Sequence, residues 1–252
     1  MTKIKFIGTG SLEGIPSPLC NCNVCNLARK SESKNKRFRS SIFVEFDDKS
    51  SLIIDCSPDF KDQLEKFKFH VENIFITHGH FDHFFGLGEL SYLNPLYKIN
   101  PKIFGKKDVI DYCKNIFGYL NLNFSSLDRE NFKIGKNDIK LIEVNHAKNT
   151  STRGLFFKKT LIIPEIYKIE SEIKEKLKEK EINLLIVDGA YYNESLYKDH
   201  FTIQDAINFG KDIGAKNIII TNIWHKTKSH NELEKEFMNS AEIAYDGMEV
   251  SV

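Results

Sequence analysis

The apolar residues in the first third of the chain come in short runs that stop at turns or at polar side chains. Residues 3–7 alternate as a strand does before the turn at Gly8, and residues 42–46 and 52–55 flank Asp47-Asp48-Lys49-Ser50 as the arms of a hairpin. Residues 60–69 have the spacing and charge of an amphipathic helix, and the apolar run 74–77 ends at a cluster of histidines. Beyond the cluster, residues 84–93 read as a helix that Pro95 ends or closely follows, and 103–104 as a strand. Residues 108–119 read as a helix whose aromatic side chains are expected in the core.

The second half repeats this grammar. Residues 139–144 alternate toward Asn145-His146, residues 154–157 form a strand candidate, and Leu161-Ile162-Ile163 ends at Pro164-Glu165. Residues 170–181 are almost all Lys and Glu, with Ile173 and Leu177 four apart, which predicts a solvent-facing helix. The run Leu184-Leu185-Ile186-Val187 delivers Asp188 and Gly189. Residues 202–213 have helical periodicity stopped by Gly214, and Ile218-Ile219-Ile220 reads as a buried strand ending in Thr221-Asn222-Ile223-Trp224-His225. Short apolar strands thus end repeatedly in His, Asp, Glu or Asn, which predicts one site along one edge of a layered sheet. With no periodic repeat and no low-complexity linker, residues 1–252 are expected to form one α/β domain.

Charge and cysteine usage narrow the class. Thirty-six Lys plus Arg against 35 Asp plus Glu leave a net charge of +1, so nothing draws the whole molecule to nucleic acid or to an anionic membrane. The first residues lack the apolar stretch of a secretory signal, and nowhere do 18 apolar residues run together, so a cytoplasmic protein without a spanning helix is expected. Five cysteines, three of them in Cys20-Asn21-Cys22-Asn23-Val24-Cys25, argue against a disulfide framework and for thiolates sharing a metal, with free or redox thiols as the other reading. Cys56 and Cys113 lie among apolar residues and are expected in the core.

His78, His80, Asp82 and His83 place three imidazoles and a carboxylate within six positions, in a chain with eight histidines. A turn between strand and helix would let alternate histidines reach one cation while Asp82 and His83 face a second; nitrogen and carboxylate oxygen suit zinc, manganese or iron. The plainer reading is a polar turn capping a helix. His146 follows a strand, and a catalytic coordination shell needs such a ligand from distant sequence. A tight C-x-C-x2-C cradle needs a fourth ligand to close a tetrahedral site.

Taken together, Gly8-Thr9-Gly10-Ser11, the cysteine triplet, His78-x-His80-x-Asp82-His83, Asn145-His146, Pro164-Glu165, Asp188-Gly189, Asp199-His200 and the segment 221–225 resemble the metallo-β-lactamase superfamily. Within it the chain is similar to the cyclic phosphodiesterases of bacterial phosphonate breakdown and their archaeal relatives. The resemblance implies a four-layer αββα sandwich. It also implies one cation on the residues matching His78, His80 and His146, a second on those matching Asp82 and His83, and a bridging carboxylate at Glu165. Asn222 stands where a last histidine ligand is usual, and a neutral amide is a poorer ligand than imidazole. His225 matches the histidine that completes a structural zinc site with Cys20, Cys22 and Cys25, tying loop 20–25 to the segment near 225. His230 is expected in a polar loop; a shifted alignment would instead put it at the cysteines.

The implied activity is hydrolysis of a phosphodiester, on a small cyclic or nucleotide-like phosphate, with one or two zinc or manganese ions. Asp82 and Glu165 would orient the attacking water, and His200 would act as general acid or as a clamp on the phosphate. Two alternatives stay open: an RNA-processing endonuclease of the same superfamily, and a catalytically weakened protein that binds metal and phosphate esters. The expected partner is a small phosphate ester, with nucleic acid the less favoured alternative, and relatives commonly pair as homodimers.

Overall fold

The computed structural model describes residues 1–30, 33–147, 150–194 and 197–252. Its strands begin with β1 (Lys3–Gly8), β2 (Ser41–Glu45), β3 (Ser51–Ile54), β4 (Asn73–Phe75), β5 (Lys102–Gly105), β6 (Asn123–Ser126) and β7 (Asn131–Ile134). They continue with β8 (Asn137–Ala147), β9 (Thr150–Phe157), β10 (Thr160–Ile163), β11 (Leu184–Asp188), β12 (Asn217–Thr221), β13 (Glu242–Ile243) and β14 (Glu249–Ser251). The helices are α1 (Asn23–Lys30), α2 (Phe60–Phe67), α3 (Phe81–Phe84), α4 (Leu90–Tyr97), α5 (Lys107–Phe117), α6 (Ser171–Lys178), α7 (Ile203–Asp212) and α8 (His230–Phe237). The mixed α/β class expected from the sequence is the class observed, with two sheets that each carry helices. The chain divides into two compact units: Met1–Gly8 with Ser40–Ile139 and Gly247–Val252, and Thr9–Arg39 with Lys140–Asp246. Among the described residues no helix is long and apolar enough to cross a membrane.

In the first unit the sheet runs β14-β1-β2-β3-β4-β5-β6, antiparallel as far as β3 and parallel from β3 onward. The register Ile53↔Ile74 and Ile54↔Phe75 aligns the ends of β3 and β4, so Asp55 and Thr77 emerge side by side. Ile53, Ile74 and Ile103 pack with Phe60 of α2, Phe84 of α3 and Ile110 of α5, and Cys56 and Cys113 are buried among them. Each such apolar side chain contributes about 1.5–3 kcal/mol by leaving water.

In the second unit β10, β11, β12 and β13 are parallel, β9 is antiparallel to β10, and β8 is antiparallel to β9. Strand β8 therefore points the same way as β10, and the ends of β8, β10, β11 and β12 share one edge of the sheet. His146 lies at the end of β8 and Asp188 at the end of β11, while Glu165 and Asn222 follow β10 and β12. The strands are buried under Ala206 and Ile207 of α7 and Leu233 of α8. Helix α6 faces water as predicted, with Leu177 buried and Lys176–Glu172 and Lys178–Glu175 paired on its surface.

Three expectations change. Residues 84–93 are not one helix: α3 passes into a 3-10 turn over Phe85–Glu89, and α4 restarts at Leu90 with Pro95 inside it. Because α4 is so short, the N–H that Pro95 lacks costs only one bond, to the carbonyl of Ser91, and the helix closes at Lys98 in the left-handed conformation. On α5, Phe117 joins the core but Tyr112 is half exposed, and Tyr119, just past the helix, is 79 % exposed; a tyrosine's hydroxyl makes a wet position acceptable. His230 is not in a polar loop. It is buried as the first residue of α8, where Nδ1 lies 3.1 Å from Nη2 of the fully buried Arg37. The Arg37 guanidinium also donates to Thr9 Oγ1 at 2.7 Å and to the carbonyl of Ala244, and Thr9 donates to Asp246 at 2.7 Å. The chain segment 9–39 is thus tied to the segment near 244–246 by a buried polar network.

Two predictions follow from this packing. A Cβ at Gly86 would stand 2.7 Å from the Phe60 Cβ and 2.9 Å from the Cys56 carbonyl oxygen, with the Ser57 carbonyl nearer still, whereas one at Gly88 meets nothing nearer than 3.4 Å. Gly86→Ala should lower stability in denaturant unfolding by about 1–3 kcal/mol, with Gly88→Ala much milder. Burial first, then the charges of Arg37 and Lys34, push the His230 pKa down to about 3. The folded protein thus keeps His230 neutral while the unfolded chain protonates it near ~6.5. Stability should therefore fall as pH drops from about 6.5 toward 3, and unfolding curves of His230→Gln should lack that component.

Candidate metal centre

The first unit supplies the histidine cluster, and Asp55 organises it. Asp55 is fully buried just past β3, with the left-handed φ of 64° that aspartate tolerates better than most residues. Its carboxylate accepts from the Thr77 backbone N–H at 2.8 Å, from the Thr77 hydroxyl at 2.9 Å and from His83 Nδ1 at 2.7 Å. With its proton given to Asp55, the Thr77 oxygen accepts from His78 Nδ1 at 3.0 Å. Both imidazoles are thereby fixed in the tautomer that presents Nε2 as the ligand atom, the usual arrangement around a bound metal. Burial pushes the Asp55 carboxyl up, and the charge and hydrogen bond of His83 oppose that push.

His80 takes the extended N-cap position of α3, and Asp82 and His83 lie in that helix. The His78 and His80 ring centroids are 4.5 Å apart, those of His78 and His83 4.3 Å, and Asp82 Oδ2 is 3.3 Å from His83 Nε2. The turn is locked to β3 by Cys56 N–H donating to the His83 carbonyl at 2.7 Å and by Gly86 N–H donating to the Cys56 carbonyl at 3.0 Å. The four residues singled out in the sequence are therefore brought together, and three of them are buried.

The second unit builds its own polar cluster at the strand-end edge. His146 donates from Nδ1 to the Asp199 carbonyl at 2.7 Å, which leaves Nε2 facing Glu165 Oε2 at 2.9 Å. Asp188 lies 2.8 Å from His200 Nδ1 and accepts from the backbone N–H of Ile166 at 3.2 Å and of Ala190 at 3.0 Å. Asn222, with φ of 62°, donates from Nδ2 to Glu165 at 3.3 Å and to Asp188 at 3.2 Å. Its amide thus ties two buried carboxylates together. Burial alone would lower the His200 pKa, but the charges of Asp188 and Glu165 outweigh it and raise it to about 10, which favours the protonated ring.

The cysteine triplet and His225 also meet within the second unit. Their ligand atoms all lie within 4.8 Å of one another, with His225 Nδ1 3.3 Å from Cys20 Sγ and 3.6 Å from Cys22 Sγ. A tetrahedral zinc with Zn–S of about 2.3 Å and Zn–N of about 2.0–2.1 Å requires S···N edges of about 3.5 Å, so the cradle has the right size and donors for that ion. His230 is absent from this group, which keeps the register that pairs His225 with the cysteines. In the metal-free cradle, burial pushes the Cys25 thiol up to about 12, so a cation must displace its proton.

The residues missed in the sequence are Asp55, Thr77, Asp188 and Asp199 as supports. Asp55 ended an apolar run just as the ligand candidates did, and that was its only signal; Asp188 and Asp199 stood in the motifs that carry the resemblance, but nothing in the sequence showed which groups they would bind.

A family model for the beta-lactamase superfamily domain matches residues 51–223, more than half of the chain. The chain belongs to the beta-lactamase superfamily. Among curated relatives, an octanoyltransferase of Porphyromonas gingivalis is 26% identical over 260 residues, covering 98% of this chain and 51% of that protein. A ribonuclease Z of Picrophilus torridus is 29% identical over 223 residues, covering 84% of this chain and 64% of that enzyme. The chain thus spans about half to two thirds of the length of these curated relatives. Among solved structures, a diphosphatase from the PhnP family shares the fold with a TM-score of 0.88 at 22% identity, over 100% of this chain and 98% of that one.

If the cysteine cradle holds zinc, Cys22→Ala should release about one ion per chain and lower the thermal midpoint, because metal affinity then contributes to folding. Metal analysis and a thermal scan check both. Zinc retention by the unaltered protein should also weaken as pH falls, as protons return to the thiolates.

Proposed function

We propose that the chain is a metal-dependent hydrolase that cleaves a phosphodiester, on a small cyclic or nucleotide-like phosphate. The observation that carries this reading is the fixing of His78, His83 and His146, each through Nδ1 to an oxygen, so that each presents Nε2. The ligands are those the superfamily resemblance implies: His78, His80, His146, Asp82, His83 and Glu165, with one or two zinc or manganese ions. When bound, such cations acidify water and neutralise charge developing on phosphoryl oxygens. Asp82 would orient the attacking water. His200, a buried imidazolium backed by Asp188, would hold a phosphate oxygen or protonate the leaving oxygen. In this reading Cys20, Cys22, Cys25 and His225 hold a structural zinc apart from the chemistry.

Asn222 can offer a cation only its amide oxygen, a poorer ligand than the imidazole usual there, while Nδ2 donates to Glu165 and Asp188, and this favours occupancy by one tightly held ion. The ribonuclease Z relative supports a second reading, endonucleolytic RNA processing. In the weakened-protein alternative, the same residues bind a phosphate ester without turning it over.

The test uses metal-loaded protein on bis-p-nitrophenyl phosphate and on a precursor RNA with a 3′ extension. The proposal expects chromophore release that falls at least about 100-fold in His80→Ala, and about 100-fold or more in His200→Ala, in line with typical general-acid contributions. Equal rates for wild type and His80→Ala would sink it. Cleavage of the RNA with no release from the small ester would favour the endonuclease, and ester binding without product the weakened protein.

A further inference from the structure

Glu13 stands at a place for which neither the metal ligands nor the proposed hydrolysis accounts. The segment Ser11–Gly14 is a tight turn closed by Gly14 N–H donating to the Ser11 carbonyl at 2.8 Å, and Gly14 takes a φ of 68° that glycine adopts freely. Backbone bonds pin both ends of that turn. Ser11 N–H donates to the Ile223 carbonyl at 3.1 Å, and Ile15 N–H donates to the Arg37 carbonyl at 2.8 Å. The turn is thereby laid alongside residues 223–225, and the Glu13 side chain reaches them: Oε1 accepts from Trp224 Nε1 at 3.3 Å and lies 3.6 Å from His225 Nε2.

His225 uses its two nitrogens oppositely to His78, His83 and His146. Its Nδ1 faces Cys20 and Cys22, so the ligand atom is Nδ1 and the proton belongs on Nε2, the nitrogen that faces Glu13. A metal-bound imidazole is commonly oriented by an oxygen acceptor on its far nitrogen, and losing that acceptor weakens metal binding. Trp224 Nε1 donates to the same carboxylate oxygen and limits its movement; His225 is buried, while the Glu13 side chain keeps one edge in water.

We infer that Glu13 is a positioning residue of the cysteine site, holding His225 in the Nε2–H tautomer with Nδ1 turned to the cation. The inference rests on reading Cys20, Cys22, Cys25 and His225 as a zinc site. The full chain, loaded with zinc alone, is titrated with a chromophoric zinc chelator, and the cysteine-site ion is identified as the one missing from Cys22→Ala. Glu13→Ala should weaken that ion's affinity about 10- to 100-fold, with Glu13→Gln, which keeps a neutral acceptor, falling between. Nitrogen-15 NMR of the His225 ring in metal-free protein should show Nε2 protonated in wild type and a mixed signal in Glu13→Ala, a change of tautomer that isolates Glu13 from the effect of the cation. Wild-type zinc affinity in both Glu13 variants, or an unaltered tautomer, would overturn the role of Glu13 while leaving the zinc site standing. Equal zinc content in wild type and Cys22→Ala would overturn both.

Discussion

A buried carboxylate just at or past the end of a parallel strand organises each unit of this chain. Asp55 and Asp188 are both inaccessible to water, and an unpaired charge in such a place would cost several kcal/mol. Each is therefore surrounded by donors. Asp55 collects a backbone N–H, a hydroxyl and an imidazole, and Asp188 collects two backbone N–H groups, an amide and an imidazole. Satisfying these acceptors fixes the orientation of the neighbouring rings. The chemistry available to His83 and His200 follows from which nitrogen each carboxylate has claimed.

The consequence is a division of labour among histidines of one chemical type. His78, His83 and His146 spend Nδ1 on Thr77, Asp55 and the Asp199 carbonyl, and present Nε2. His225 turns Nδ1 toward sulfur. His200 carries a proton against Asp188, and His230 is kept neutral beside Arg37. Titration thus sets His200 apart from His230, because carboxylates face the one and Arg37 and Lys34 lie near the other.

The strand grammar was legible where apolar runs were long enough to be buried. Strands β10, β11 and β12 and helices α5, α6 and α7 lie within a few residues of their predicted positions, since a run such as Leu184–Val187 has few alternatives to the sheet interior. Helix α1 buries only Val24, Cys25 and Ala28, too short an apolar stripe to show a helical period, and α8 is a short polar stretch, although Ser229 and Glu232 form a capping box that announces it. Pro95 misled because a proline near the end of a short helix removes only one bond.

Residue identity and spacing alone determined that the chain is α/β and marked residues 78–83 and the three clustered cysteines as candidate ligands: these depend on local periodicity and on which side chains carry lone pairs. Tertiary structure decided the rest. Only the pairing of β3 with β4 places Asp55 beside Thr77, only the shared direction of β8, β10, β11 and β12 gathers His146, Glu165, Asp188 and Asn222 on one edge, and only the pinned turn at Ser11–Gly14 brings Glu13 to His225. The physical reason is that a hydrogen bond between residues far apart in sequence leaves no periodic trace along the chain, while it fixes which nitrogen of an imidazole is left to act.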